Sequence, residues 1–441
     1  MLAPAPVWVA ETITWFRGED DDAPLLQRIR GNWQAIIPVP PADSLWWPGF
    51  LPPGKPHDAD PAALPIARFI GRRTLLAKGV TWLEGRLEAG DIRQRVARMF
   101  LDGPPAEMLA LAAKLAEELP LLPAPHSLVE VALALAESRA PRARRRGPPS
   151  LAGAETIEPA FLSALAHLQD VLLAETPNCR LEAGPSGVHQ SRVAIRRLRS
   201  LLKLFRPVVD GPGWREWDTQ LRDLAQTLGV ARDWDVFLAG IGPGTLSALD
   251  GDVRIKRLLT AAAHERDAAY AALASLLEGE GFRRTIWFGL QLTVIRPDRV
   301  TELPLAPFAA KLLRKRWRRL KNSGDTMKDL DSAALHEMRL DAKRLRYAAE
   351  PFAALWPGRA TKRFTRRLSG LQEALGLAND ATVARELARR LAGHGAGAFA
   401  IGAITGFAAG RAEGSRLAAI GAWKALRKAG TFWKVAAEPN L

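Results

Sequence analysis

One stretch of the sequence, VHQSRVAIRRLRSLLKLF at residues 188–205, carries a histidine and several cations at helical spacing. Each residue of an α-helix advances by about 100°, which places these side chains within an arc of roughly 80°. No acidic residue lies between His189 and Val208, so repulsion within the row is not relieved locally. Guanidinium, ammonium and imidazolium groups on one face are suited to binding phosphate groups. The residues of this first row are His189, Arg192, Arg196, Arg199 and Lys203.

The same pattern recurs 147 residues later, as LHEMRLDAKRLRYAAEPF at residues 335–352. A second pair of segments, LRDLAQTLGVARDWDV from Leu221 and LSGLQEALGLANDATV from Leu368, has the same offset. A shared offset without insertions indicates a duplicated helical unit. We predict two halves around a pseudo-twofold axis, with the two rows facing each other across a groove. The residues of the second row are His336, Arg339, Lys343 and Arg346, and Glu350 replaces Lys203.

Other roles for these side chains are open at this point. A run of charges is usually a solvated helix face, but such faces mix both signs. A single histidine is usually a buried core residue, yet an arginine three residues away favours a phosphate donor. Metal binding is disfavoured, because no second His or Cys stands at ligand spacing and the nearby cations repel a metal ion. Further candidate phosphate ligands, equally consistent with ordinary surface, are Arg314 and Arg318.

The second repeated segment contains a glycine and an aspartate in both copies. Gly229 and Gly376 are predicted to end helices, and Asp233 and Asp380 to cap the helices that follow. Salt bridges from these aspartates to arginines of the rows are a further possibility.

The charge of the chain indicates an anionic polymer as its partner. The net charge is +15, but residues 1–150 carry 18 Lys+Arg and 17 Asp+Glu, so the excess lies in the C-terminal two-thirds. Nucleic acid, an acidic membrane or polyphosphate would fit this charge. Nucleic acid calls for base-reading or stacking side chains, and the rows offer little beyond Gln190, Phe205 and Tyr347. A linear phosphate polymer without bases is therefore favoured.

Composition and segment boundaries predict a mostly α-helical protein with two domains. Ala, Leu and Arg are abundant, whereas Tyr occurs only twice. Residues 80–90 form a predicted strand with Glu84, Arg86 and Glu88 on one face. The single cysteine, Cys179, and the lack of a signal-peptide pattern favour a cytoplasmic protein without membrane insertion. The predicted parts are an N-terminal α+β domain at 1–140, a basic linker at 141–150, and an all-α domain at 151–441 with halves at about 155–300 and 301–441.

The repeated motifs HQSRVAIRRLR and HEMRLDAKRLR resemble the paired signatures of the CHAD family, the conserved-histidine α-helical domain. The stretches LGVARDWDV and LGLANDATV, and the C-terminal GFAAGRAEGSRLAAIGAWKALRKAGTFW, are also similar to that family. The resemblance covers about residues 155–433. It implies two four-helix units with pseudo-twofold symmetry and the binding of inorganic polyphosphate, often on polyphosphate granules. The binding residues that it implies are His189, Arg192, Arg196, Arg199, His336, Arg339, Lys343 and Arg346.

The N-terminal part resembles the CYTH family of triphosphate-tunnel domains, through WLEGRLEAGDIRQ and the helical segments that follow. The E-x-E-x-K signature that supplies metal-binding carboxylates in that family is missing, and ETITWFR stands in its place. Glu84, Glu88 and Glu130 remain as scattered acids. We therefore expect a degenerate, non-catalytic domain without metal or cofactor. The alternatives are a metal-dependent triphosphate or polyphosphate hydrolase in this domain, and a non-specific nucleic-acid binder.

Overall fold

The computed structural model divides the chain into two compact units. The first comprises Met1–Arg145 and Arg283–Ile295, and the second comprises Arg146–Phe282 and Arg296–Leu441. The sequence gives no signal that the segment at 283–295 joins the first unit. The residues that the structure describes are 7–17, 25–36, 55–56, 58, 63–139, 141, 147–294, 303–327, 330–394 and 397–433.

The first unit contains an antiparallel sheet with the order β4-β3-β2-β1-β5-β6-β7. Its alternating apolar residues pack on one face against a helix, where Phe69, Leu83 and Leu87 are buried beside Leu128 and Val131. The strands are β1 (Val7–Arg17), β2 (Leu26–Ile29), β3 (Asn32–Ala35), β4 (Lys55–Pro56), β5 (Leu64–Ala77), β6 (Val80–Ala89) and β7 (Ile92–Leu101). The helices of this unit are α1 (Pro105–Glu118), α2 (Leu128–Ala136) and most of α8 (Glu280–Val294).

The strand predicted around residues 80–90 is confirmed as β6. Because side chains alternate along a strand, Glu84 and Glu88 lie on the face opposite the apolar core. The register pairs Glu88 with Arg68 and Glu84 with Arg72 on β5. These cross-strand partners are oppositely charged, so they stabilise the pairing of β5 with β6.

The second unit is all-α and has the duplicated organisation that the sequence predicts. Helices α4 and α10 end at Phe205 and Phe352, and α5 and α11 begin at Pro212 and Arg359, so both positions keep the offset of 147. The first copy consists of α3 (Ile157–Glu175), α4 (Ser186–Phe205), α5 (Pro212–Ala239), the short α6 (Ile241–Ala248) and α7 (Val253–Glu278). The second copy consists of α9 (Leu305–Asp325), α10 (Ser332–Phe352), α11 (Arg359–Arg390) and α12 (Ala398–Ala429). The predicted mostly α fold with a smaller α+β part is confirmed.

Aromatic residues mark the axis that relates the two copies. Phe205 and its repeat mate Phe352 are both fully buried, and their ring centroids are 6.1 Å apart. Phe205 also contacts Phe161 at 5.3 Å and Phe308, the repeat mate of Phe161, at 5.5 Å. A residue that contacts its own mate lies near a twofold axis, as in an isologous dimer. The apolar faces of α4 and α10 therefore meet at the centre of the unit.

By length and composition, one helical segment among the described residues, Ile157–Asn178, is apolar enough to cross a membrane. About 67% of its most apolar window is buried inside the protein. This burial is typical of a core helix, since its apolar side chains pack against the neighbouring helices.

Candidate anion-binding site

The two predicted rows lie on α4 and α10, and these helices contact each other through polar as well as apolar residues. The guanidinium group of Arg196 lies over the ring of Tyr347, 5.7 Å from its centroid, and donates a hydrogen bond to its hydroxyl. Arg197 Nη2 donates to Glu350 Oε2 at 3.2 Å. Contacts between the copies therefore bring α4 and α10 together, and the groove between the two rows stays a prediction.

Four cations of the rows and the imidazole of His189 form what we call the central cluster. Lys343 lies within range of the charges of Arg192, Arg196 and Arg339, and Arg339 within range of those of Arg192 and Arg196. Burial, and then the nearby arginines, lower the pKa of Lys343 to about 7. Burial likewise lowers the pKa of Arg192 and of Arg339. The central cluster consists of His189, Arg192, Arg196, Arg339 and Lys343.

The histidine of the first row belongs to this cluster. His189 is exposed overall, but partial shielding of its ring from water lowers its pKa, and the charges of Arg232, Arg196 and Arg192 lower it further. The imidazole is therefore mostly neutral at pH 7 until an anion offsets these charges. His336, at the head of the second row, is exposed on α10, as His189 is on α4.

Gly229 has a different role from the one predicted. Both predicted helix ends are wrong, because α5 continues through Gly229 and Asp233, and α11 continues through Gly376 and Asp380. A β-carbon at Gly229 would overlap Arg192 Nη1 and lie 3.3 Å from Arg192 Cζ. The missing side chain lets Arg192 reach α5, where Nη1 donates to the carbonyl oxygen of Ala225 at 2.9 Å. Gly229 is therefore a notch that holds Arg192 in place.

The aspartates of the repeat, predicted as caps, lie inside their helices near the central cluster. Burial raises the pKa of Asp233, the positive charge of Arg192 lowers it, and the negative charge of its repeat mate Asp380 raises it again. Arg339 experiences the charge of Asp380 in the same way as Arg192 experiences that of Asp233. Each copy therefore supplies one carboxylate near its half-buried arginine, which offsets part of the positive charge.

The outer ends of the two rows carry ion pairs. Arg199 Nε donates to Asp218 Oδ1 at 2.7 Å, and Arg346 Nε donates to Glu350 Oε1 at 2.6 Å. Lys203 is exposed at the end of the first row. Carboxylates of the protein itself thus already bind Arg199 and Arg346, so these two residues differ from the central cluster.

The structure does not place the two candidates on α9 beside α10. Arg314 and Arg318 are exposed, and Arg316 is the residue whose Nη1 donates to the carbonyl oxygen of Arg344 on α10, at 3.1 Å. At about 100° per residue, Arg314 and Arg318 lie roughly 160° around α9 from Arg316. Sequence reasoning also missed Arg232 and Tyr347, although Arg232 directly precedes Asp233 in the repeated motif.

The scattered acids of the first unit take part in structural contacts. Glu84 pairs with Arg72, and Glu88 with Arg68 at 2.7 Å and Arg86 at 2.7 Å. Glu130 forms a capping box with Ser127 at the start of α2. Within the described parts of the chain, no group of three or more His, Cys, Asp or Glu could hold a metal ion.

Comparisons with known proteins agree with this architecture. The model of the CHAD domain family matches residues 163–389, which is about half of the chain. The crystal structure of the CHAD domain from the plant Ricinus communis is 27% identical, with a TM-score of 0.52 over 65% of this chain and 95% of that one. PptA from Streptomyces chartreusis is 17% identical, with a TM-score of 0.49 over 62% of this chain and 100% of that one. No curated protein matches the chain.

Nothing in these matches or in the described residues indicates an enzymatic activity. The family match covers both rows of cations and both copies of the repeat up to Arg389. The duplicated helices and the similar crystal structure at 27% identity agree with this family match. The chain belongs to the CHAD domain family.

Proposed function

We propose that the second unit binds inorganic polyphosphate at the central cluster. The observation that carries the proposal is the convergence of Arg192, Arg196, Arg339 and Lys343 from both copies, despite their repulsion. Burial and mutual repulsion destabilise these charges in the unliganded protein. An anion that bridges the two rows would offset both the burial of these charges and their mutual repulsion, because it supplies negative charge that the cluster lacks.

The chemistry of the donors favours a phosphate polymer over nucleic acid. Guanidinium and ammonium groups bind phosphate oxygens, and Arg binds them in bidentate geometry. Single-stranded nucleic acid would need aromatic rings free to stack on bases, but Arg196 covers the ring of Tyr347. The central cluster is therefore better suited to a repeating chain of phosphates than to bases.

Association with polyphosphate granules and a cytoplasmic location are parts of the same proposal. The buried thiol of Cys179 lies 3.2 Å from the hydroxyl of Ser191, and burial raises its pKa to about 11. Such a thiol is mainly protonated and unreactive at neutral pH, which suits a protein that functions without disulfides. Fluorescence microscopy of the tagged chain, with polyphosphate stained in the same cells, tests both parts.

Isothermal titration of the full chain with long-chain polyphosphate tests the binding. Arg192→Ala with Arg339→Ala removes two charges of the central cluster, and Lys256→Ala with Arg257→Ala removes two exposed charges of α7 as the control. We expect the first pair to weaken binding at least about tenfold and the control to have little effect. Equal losses in the two double variants would refute the assignment of the site.

Competition and product analysis test the two alternative functions. If RNA displaces polyphosphate at equal phosphate concentration, the protein is a general nucleic-acid binder. If tripolyphosphate releases phosphate in the presence of Mg²⁺, and Glu84→Gln with Glu88→Gln abolishes the release, the first unit is a hydrolase. We expect neither result.

A further inference from the structure

The two copies differ at the outer end of the rows, beyond the central cluster. In the first copy, Arg199 on α4 is bound by the carboxylate of Asp218 on α5, at 2.7 Å. Their repeat mates, 147 residues later, are Arg346 and Thr365. The second copy thus keeps the arginine but replaces its carboxylate partner on the neighbouring helix with a shorter, neutral hydroxyl.

A cavity of about 230 Å³ lies between α10 and α11, and Thr365 is among the residues that line it. Two arginines, two hydroxyls and one carboxylate contribute to its lining. Arg366 takes the place of Thr219 of the first copy and adds a positive charge. The exchange of Asp218 for Thr365 removes a negative charge, so both differences make the second copy more positive here. The polar lining residues of this cavity, which we call the Arg346 pocket, are Arg346, Glu350, Thr365, Arg366 and Ser369.

The hydrogen bonds of Arg346 leave part of its guanidinium group available. Nε donates to Glu350 Oε1 at 2.6 Å, and Nη1 donates to Gln372 Oε1 at 3.0 Å. Among the residues that the structure describes, Arg346 Nη2 donates no hydrogen bond. These two bonds fix the plane of the guanidinium group, so the free Nη2 is held in a defined direction.

Of the other groups of the pocket, Glu350 and Ser369 are compatible with an anion, whereas the hydroxyl of Thr365 donates to the carbonyl oxygen of Thr361 at 2.9 Å. Glu350 is shared between Arg346 and Arg197 of the first copy, at 3.2 Å, so two guanidinium groups already offset its charge. The hydroxyl of Ser369 donates over a long distance of 3.3 Å to Glu373. A serine hydroxyl can rotate to donate elsewhere, and the pocket with Arg366 has a net positive charge.

We propose that the Arg346 pocket binds one phosphoryl group of the polyphosphate chain, in the position that Asp218 occupies in the first copy. The identity of the ligand rests on the proposed function, whereas the site rests on the difference between the repeat mates. A phosphoryl group brings the negative charge and the oxygens that the carboxylate of Asp218 supplies to Arg199. The polyphosphate chain then extends from the central cluster along α10 of the second copy. The two copies of the repeat are therefore not equivalent in binding.

Giving the second copy the carboxylate that the first copy has at Asp218 tests this proposal. In Thr365→Asp, the new carboxylate should bind Arg346, as Asp218 binds Arg199, and exclude the phosphoryl group. Gly370→Asp is the matched control, because it adds the same charge on α11 outside the pocket, at the position where the first copy has Asp223. Outside the adjacent turns of α11, a β-carbon at Gly370 meets no atom of the described part of the chain within 4 Å, so this control should fold. The full-length variants are titrated with long-chain polyphosphate by calorimetry.

We expect Thr365→Asp to weaken binding about tenfold more than Gly370→Asp does, the size of a lost charge-assisted hydrogen bond. A second pair removes a charge instead: Arg366→Ala should weaken binding more than Arg367→Ala, its exposed neighbour outside the pocket. If the members of each pair bind equally well while the Arg192→Ala, Arg339→Ala variant loses affinity, the pocket is refuted and the proposed function stands. If the parent protein does not bind polyphosphate, both are refuted.

Discussion

The notch at Gly229 yields the sharpest prediction, because its repeat mate provides a matched control. Alanine at Gly229 would overlap Arg192 Nη1, so the guanidinium group must shift, and we expect it to lose its 2.9 Å hydrogen bond to Ala225. At Gly376 the same change meets, beyond the neighbouring backbone of its own helix, no atom of the residues that the structure describes within 4 Å. Both glycines lie inside long helices, so both substitutions share the same gain in helix propensity.

The expected changes in the free energy of unfolding follow from two contributions, the gain in helix propensity and the loss of the hydrogen bond from Arg192. Replacing glycine by alanine inside a helix stabilises it by about 0.5–1 kcal/mol. A hydrogen bond from a charged donor contributes about 1.5–3 kcal/mol, and its loss at Gly229 exceeds this gain. We therefore expect Gly376→Ala to be stabilised by about 0.5–1 kcal/mol and Gly229→Ala to be destabilised by about 1 kcal/mol.

Urea denaturation followed by circular dichroism measures these free energies of unfolding, and calorimetric titration with polyphosphate measures the affinity of each variant. Gly229→Ala should also bind polyphosphate several-fold more weakly, because Arg192 is displaced from the central cluster, whereas Gly376→Ala should bind like the parent. The reasoning fails if the two variants have the same stability and the same affinity.

Three further predictions follow from the site and the core. Anion binding favours the charged form of Lys343, so affinity should be greatest below about pH 7 and fall by up to about tenfold per pH unit above it. Lys343→Arg should flatten this dependence, and a profile unchanged by that substitution would contradict the assignment. Phe205→Ala should lower the free energy of unfolding by about 3–5 kcal/mol in urea denaturation, since its ring packs against Phe352 at the axis; a loss below 1 kcal/mol would argue against this core. Arg314→Ala with Arg318→Ala should change polyphosphate affinity less than twofold in a calorimetric titration, and a larger loss would place α9 in the site.

Much of the second unit could be predicted because its duplication is visible in the sequence. The offset of 147 residues holds for the ends of α4 and α10 and for the starts of α5 and α11. The repeat predicts equivalent helices related by a twofold axis, and the contact of Phe205 with Phe352 agrees with this prediction. The mostly helical composition and the strand at β6 followed from local patterns.

The errors concern contacts between residues that are distant in sequence. In a single sequence, a glycine before a polar segment resembles a helix end, and the reason for Gly229 is Arg192 on another helix. Arg314 and Arg318, which charge alone selected, stay a prediction, whereas the contact of Arg316 with α10 depends on tertiary packing that a single sequence does not show. The replacement of Asp218 by Thr365 became meaningful only once the structure showed Asp218 bound to Arg199.

The number of polyphosphate molecules bound per chain tests the central claim most directly. Calorimetric titration with a polyphosphate short enough to occupy one site should give one molecule per chain, because Arg192 and Arg339 of the two copies share one site. Arg192→Ala and Arg339→Ala should each weaken that single event. Two equal and independent sites, each lost in only one of the variants, would contradict the account.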